Sequence, residues 1–254
     1  VRPAGAWQRG RRLGRARESE LGRALVRAGA RLRRMGVLLL VRHGQASLGT
    51  ADYDRLSDVG RRQAQVTGAR LARTDLAVDR VVSGALTRQR DTAEPVLAAL
   101  GWPASRLQID ERLDEYDHVG VMALYTSEVT FETATADGER GRALQSTLEE
   151  AIGRWIAGDS GEGETHEAFI GRVMDSITEL AATPGATIAV TSGGVIAAYC
   201  ALALGLPVER WPGLARLIVN ASITKIITGH TGTNMVTFND HAHLETDRAL
   251  ITYR

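Results

Sequence analysis

The stretch "GVLLLVRHG", Gly36 to Gly44, decides the fold. Val37 to Val41 are apolar without interruption, so this segment has no polar face. A short run of that kind suits a strand buried on both sides, in the middle of a parallel sheet. It breaks off at Arg42-His43-Gly44. In open α/β sheets, ligands bind in the crevice beyond the carboxyl ends of the strands. A histidine there can be a nucleophile if its other ring nitrogen is held by a backbone carbonyl. The neighbouring guanidinium is a planar, permanently charged fork suited to phosphate. The triplet alone is weak; its position and its company give it weight.

Working outward, strands and helices alternate. Ser57 is an expected N-cap for a helix through Arg73, "VDRVVS" (Val78–Ser83) reads as a second strand, and Thr87–Leu100 as a helix with Pro95 a kink point. "LQID" is a short strand. Helices are expected over about Arg142–Ala157 and Glu164–Ala182, the latter ended by Pro184-Gly185. "IAVTSGGVIAAY", Ile188 to Tyr199, reads as a buried strand, a tight turn and a helix opening. Such a turn leaves backbone N–H groups at a helix N-terminus, ready for an anion. "ARLIVNASITKIITGH" and "NMVTFND" read as a closing hairpin. The expected fold class is therefore α/β: a three-layer sandwich with a mostly parallel central sheet and helices on both faces.

Three further segments supply candidate chemistry. In "VVSGALTRQRDTAE", Arg88 falls in the first turn of a helix, which brings a second guanidinium to the edge where Arg42 stands. Two arginines aimed at one spot repel each other unless an anion lies between them. Arg90 belongs to another face. "ERLDEYDHVG" places Asp114, Glu115 and Asp117 in a loop after a short strand, where one carboxyl raised in pKa by burial is suited to act as a general acid. Residue chemistry alone does not choose among the three. Ser192-Gly193 closes the turn after the Ile188 strand.

The bulk properties are those of one globular domain of 254 residues with 44% hydrophobic composition. No apolar run is long enough to span a membrane, and the expected location is the cytoplasm. Cys200, the single cysteine, lies in the apolar run "VIAAYCALAL" and reads as a buried, inert thiol. No Cys/His spacing suggests a metal, and no cofactor is expected. The overall charge is +1, yet residues 1–34 hold eleven arginines against two glutamates, so the remainder carries −8. This basic segment reads as a disordered extension or as translation upstream of a true start at Met35; the competing readings are a nucleic-acid or membrane arm and a targeting peptide. Neither nucleic acid nor membrane is expected as a partner. The domain proper is then 35–254, with a polar lid insertion around 116–163.

The order strand–RHG, then S-x-x-L-x-R-x-x-x-T-A from Ser83, then L-x-E from Leu113, then a strand ending in a Gly-Gly turn resembles the histidine phosphatase superfamily, the phosphoglycerate-mutase-like fold. "DYDRLSDVGRRQA", "GETHEAF", "NASIT" and "FNDHAHL" extend the resemblance from Met35 to the C-terminus. It implies a phospho-accepting His43, phosphate-clamping Arg42 and Arg88, and Glu115 as the acid that protonates the leaving alcohol. Gln45, Ser47 and Gly193 are the expected further contacts to substrate. The implied activity is metal-independent hydrolysis of a small phosphate ester or a phosphoprotein.

One departure matters. The family pattern has a second histidine where this chain has Ser192, and the combination RHGQAS, DYD-x-LS, RQR-x-TAE, EYDH and TSGG resembles a subgroup with that exchange. Losing a charged donor to a developing oxyanion is expected to cost on the order of 10²–10³ in rate. His118 is one source of a replacement imidazole. His166, His230, His241 and His243 read as surface or structural residues. "EYDHVGV" differs from the acid loop of glycolytic mutases, so a phosphatase is expected. The alternatives are a phosphate-ligand binding or regulatory protein impaired in catalysis, or a mutase-like phosphotransferase.

Overall fold

The structure is a computed structural model that describes residues 35–47, 54–124, 138–159 and 163–253, with the side chains of 138–145 outside the description. The basic segment 1–34 and the part of the expected lid at 125–137 and 160–162 lie outside the described residues.

Six strands form one sheet: β1 (Gly36–Arg42), β2 (Val78–Ser83), β3 (Leu107–Ile109), β4 (Gly185–Thr191), β5 (Ile223–Gly229) and β6 (Gly232–Asp240). Their order is β3-β2-β4-β1-β5-β6. The first four in that order are parallel, and β5 and β6 add an antiparallel hairpin on the far side of β1. Among the described residues the α-helices are α1 (Asp58–Ala72), α2 (Thr87–Ala99), α3 (His118–Ala123), α4 (Gly138–Ile156), α5 (His166–Ala182), α6 (Gly193–Ala203) and α7 (Trp211–Ala215).

The unbroken apolar run of β1 has its explanation in the two cores. Leu38 and Leu40 point into one, with Phe169, Val173 and Ile177 of α5 and the apolar length of α6. Val37, Leu39 and Val41 point into the other, with Leu71 of α1 and Val96 and Leu97 of α2. Successive side chains of a strand face opposite ways, so a strand covered by helices on both sides has no position for a polar residue. α2 continues through Pro95 to Ala99. Gly68 of α1 lies against it so closely that a Cβ would stand 2.7 Å from the Pro95 carbonyl oxygen.

The closing hairpin starts later than the apolar pattern indicates. Residues 215–222 are not strand: Ala221 adopts a left-handed φ of 61°, and β5 begins at Ile223. Ile218, Val219 and Ala221 are buried all the same. Their apolar character reflects burial in a turn rather than strand alternation.

Candidate active site

Residues from three strand ends converge. Arg42 is opposite Thr191 in the β1–β4 register, and Ser83 is opposite Val190 in that of β2–β4. His43 and Ser192 thus leave the sheet side by side, with the β2–α2 turn next to them. The backbone of His43 is held from both sides: its N–H donates to the Thr191 carbonyl at 2.8 Å, and its carbonyl accepts from Ala221 N at 3.2 Å and Asn220 Nδ2 at 3.3 Å. The left-handed conformation of Ala221 is uncommon for a residue with a Cβ. Here it aims two donors at the His43 carbonyl.

The imidazole is fixed by what faces its two nitrogens. Nδ1 lies 2.7 Å from the carbonyl oxygen of Gly44, and Nε2 accepts from Arg88 Nε at 3.2 Å. A carbonyl can only accept and a guanidinium can only donate, so the proton sits on Nδ1 and the lone pair on Nε2. Burial, then the charges of Arg88 and Arg42, hold the His43 pKa well below its ordinary 6.5, against a smaller upward effect of the Gly44 carbonyl. The ring is neutral, with the lone pair of Nε2 facing Arg88.

Both guanidinium groups are buried. Arg88 Nη1 pairs with Asp54 Oδ1 at 2.6 Å, while Asp54 Oδ2 accepts from the Thr87 N–H at 2.7 Å. Arg42 donates through Nη1 to the carbonyls of Ile218 and Tyr253. Its guanidinium lies against Gly193, where a Cβ would stand 3.3 Å from Nε. Two guanidinium groups, one of them paired with Asp54, stand beside a neutral ring, a setting that suits an anion.

The three acids of the loop separate cleanly. The Asp114 carboxylate accepts from the N–H groups of Ala85 and Leu86, at 2.7 and 3.3 Å. Asp117 caps α3, accepting from Val119 and Gly120. Glu115 reaches the start of α6, where Oε2 accepts from the Gly194 N–H at 3.0 Å. Burial raises its pKa above the ordinary 4.5; the Gly194 N–H and the charges of Arg88 and Arg42 oppose that shift without reversing it. Gly194 is required here, since a Cβ would stand 2.2 Å from Glu115 Oε1. Gly194→Ala is expected to displace the carboxyl, because the Glu115 side-chain end must move aside for the added Cβ. A crystal structure of the variant alongside a melting curve checks this.

Ser192 is fully buried, and its Oγ accepts from Gln89 Nε2 at 2.9 Å. That leaves its own O–H free to donate. Gly193, the first residue of α6, is buried beside it. Gln45 and Ser47 are half-buried behind His43; the side chain of Gln45 accepts from Ser57 Oγ at 2.8 Å, and the Ser47 N–H donates to Arg55 O. His118 is the first residue of α3 and half-buried. Burial and the charge of Arg88 push its pKa down to about 4, while Asp117 and Asp54 pull the other way. It belongs to the same electrostatic neighbourhood and is neutral there. His166 accepts from Trp211 Nε1, and His243 contacts Thr67 Oγ1. Cys200 is buried, its thiol pushed up to about 12. Arg90 is exposed. Among the described residues there is no group of three or more His, Cys, Asp or Glu able to hold a metal, and no helix long and apolar enough to cross a membrane.

Sequence reasoning passed over Asp54, Gln89 and Arg172. Asp54 stood in the quoted "DYD" and Gln89 in "RQR", but their contacts join segments 34 and 103 residues apart.

The profile of the histidine phosphatase superfamily (branch 1) matches residues 38–241. A glucosyl-3-phosphoglycerate phosphatase of Mycolicibacterium vanbaalenii is 34% identical over 207 residues, which is 76% of this chain and 84% of that one. A solved structure of mycobacterial glucosyl-3-phosphoglycerate phosphatase with inorganic phosphate is 25% identical, with a TM-score of 0.55, covering 82% of this chain and 99% of that one. Phosphoglycerate mutase from Bacillus anthracis shares the fold at 19% identity and a TM-score of 0.56, over 84% of this chain and 96% of its own.

Proposed function

The chain belongs to the histidine phosphatase superfamily (branch 1), and from that premise we propose that it is a metal-independent phosphomonoesterase working through a phosphohistidine on His43. The supporting observation is the neutral imidazole with its lone pair on Nε2, between two buried guanidinium groups and opposite a carboxyl of raised pKa. The phosphoryl group displaces Arg88 Nε from Nε2 and takes up the donors of both arginines. Nε2 attacks phosphorus in line and the bond to the alcohol oxygen breaks. The Glu115 carboxyl gives that oxygen its proton. Water then attacks the phosphohistidine, giving a proton back to Glu115, and the N–P bond breaks to restore the lone pair. Guanidinium groups and N–H donors carry the charge of the transferring phosphoryl. Ser192 supplies one neutral donor, as in a serine-for-histidine subgroup, and Gln45, Ser47 and Gly193 complete the substrate contacts. The relatives named for glucosyl-3-phosphoglycerate make a small-molecule phosphate ester the first class to assay.

The protonation states fix the pH dependence. Turnover needs His43 neutral and Glu115 protonated. Lowering pH through the depressed imidazole pKa, well below 6.5, removes the nucleophile. Raising pH through the Glu115 pKa, above 4.5, removes the acid. kcat/KM for an alkyl phosphate is expected to be bell-shaped, with the alkaline limb belonging to Glu115. Hydrolysis that is inhibited by vanadate and indifferent to chelator supports the proposal; no hydrolysis across a broad panel of phosphate esters contradicts it.

The buried, neutral Ser192 hydroxyl favours one rival, binding of a phosphate ligand without turnover. That protein is stabilised thermally by phosphate esters and never releases phosphate.

A further inference from the structure

The loop that carries Glu115 is held at its backbone by a side chain of α5. Arg172, on α5, donates through Nη1 to the carbonyls of Arg112 at 2.9 Å and Asp114 at 2.6 Å, and through Nη2 to that of Glu115 at 3.4 Å. The same guanidinium is paired with Glu164, Nε to Oε1 at 2.5 Å and Nη2 to Oε2 at 2.9 Å. Glu164 is itself fixed at its carbonyl by Trp155 Nε1 at 2.7 Å. On the sheet side, the Leu113 carbonyl accepts from Thr191 Oγ1 at 2.6 Å and Gln89 Nε2 at 3.0 Å. Tyr116 is sunk among Trp155, Phe169 and Trp211, with ring centroids 5.3 to 5.7 Å away. The residues flanking Glu115 are therefore anchored by several contacts, and its carboxyl accepts from the Gly194 N–H at Oε2 and, at 3.3 Å, from the Tyr116 N–H at Oε1.

A guanidinium suits this task because its planar donors reach several acceptors in fixed directions; an ammonium is a point charge on a flexible stem. Arg172 is also the member of the set whose partner, Glu164, balances its charge where both are largely buried.

The geometry points to Arg172, held by Glu164, as the positioning residue that aims the Glu115 carboxyl at the leaving-group oxygen. This rests on the phosphatase proposal and goes beyond it. A positioning role predicts an effect confined to the step that needs the proton. An alkyl alcohol leaves poorly without one, whereas nitrophenolate leaves readily.

The test compares kcat/KM for glycerol phosphate and p-nitrophenyl phosphate in the full chain, in Arg172→Lys and in Glu115→Gln, with melting temperatures recorded for each. Arg172→Lys keeps the charge opposite Glu164 and loses the spread of donors, and Glu164→Gln serves as a second variant. Expected for Arg172→Lys is a loss of ~10-fold or more on glycerol phosphate and ~2-fold or less on p-nitrophenyl phosphate, a fraction of what a general acid contributes. The alkaline limb should also shift. Equal losses on both substrates, or none on either, overturn the inference. If Glu115→Gln shows no preference between leaving groups, the general-acid assignment falls and the role of Arg172 falls with it; if Glu115→Gln shows the preference and Arg172→Lys does not, only the role of Arg172 is overturned.

Discussion

Replacing His43 by alanine is expected to lower phosphatase activity by on the order of 10⁴–10⁶-fold, the range seen when a covalent nucleophile is deleted. Among the described residues no other group is placed at the end of β1 to take its role. Ser192 is bound to Gln89, and the His118 imidazole stands in the loop layer at α3 rather than at the end of β1. The variant should fold, since the contacts that place residue 43 are made by its backbone to Thr191, Ala221 and Asn220 and survive the substitution. It should also bind inorganic phosphate, because Arg42 and Arg88 remain. Thermal stabilisation by phosphate that persists while turnover vanishes separates loss of chemistry from loss of structure. Residual hydrolysis near the starting level is the contrary result.

Glu115→Gln is the second large effect. Glutamine is close to isosteric and its Oε1 can keep the bond from the Gly194 N–H, losing only the longer one from the Tyr116 N–H, while the backbone anchors of the loop remain. What disappears is the proton. A loss of ~10²–10⁴-fold is expected on an alkyl phosphate, as for removal of a general acid. The loss on p-nitrophenyl phosphate should be far smaller, and the alkaline limb of the pH profile should vanish. Burial raises the pKa of this carboxyl in the folded protein. Ionised Glu115 therefore opposes folding, most strongly above its raised pKa, and a neutral amide removes that cost. Stability at neutral pH should be unchanged or higher. A loss that is equal on both esters contradicts the role.

Part of this site is legible in the chain and part is not, for physical reasons. Val37–Val41 announces a doubly covered strand because both of its faces must be apolar. Arg42-His43 follows at once, so strand position alone puts the pair at the ligand edge. Arg88 is legible because a helix must start right after Ser83. The choice among Asp114, Glu115 and Asp117 is not local. Asp117 satisfies the amides of its own helix, Asp114 finds the Ala85 and Leu86 amides 29 and 28 residues away, and Glu115 finds Gly194 79 residues away. Asp54 and Arg172 are equally silent, since an ordinary surface charge and a clamp look alike until tertiary contacts bring their partners in. The turn at residues 215–222 misleads for a different reason. Its apolar residues face a core without strand geometry, and the left-handed Ala221 gives its N–H to the His43 carbonyl rather than to a strand neighbour.

Covalent chemistry at His43 is the central claim, and trapping tests it most directly. The full chain is mixed briefly with a labelled phosphate ester and quenched, and the label on protein is located by peptide mapping. An acid-labile, alkali-stable label on the peptide containing His43, absent from His43→Ala and formed no more slowly than phosphate is released, is the predicted result. Phosphate release with no labelled protein intermediate, or a label that persists unchanged in His43→Ala, would contradict the account.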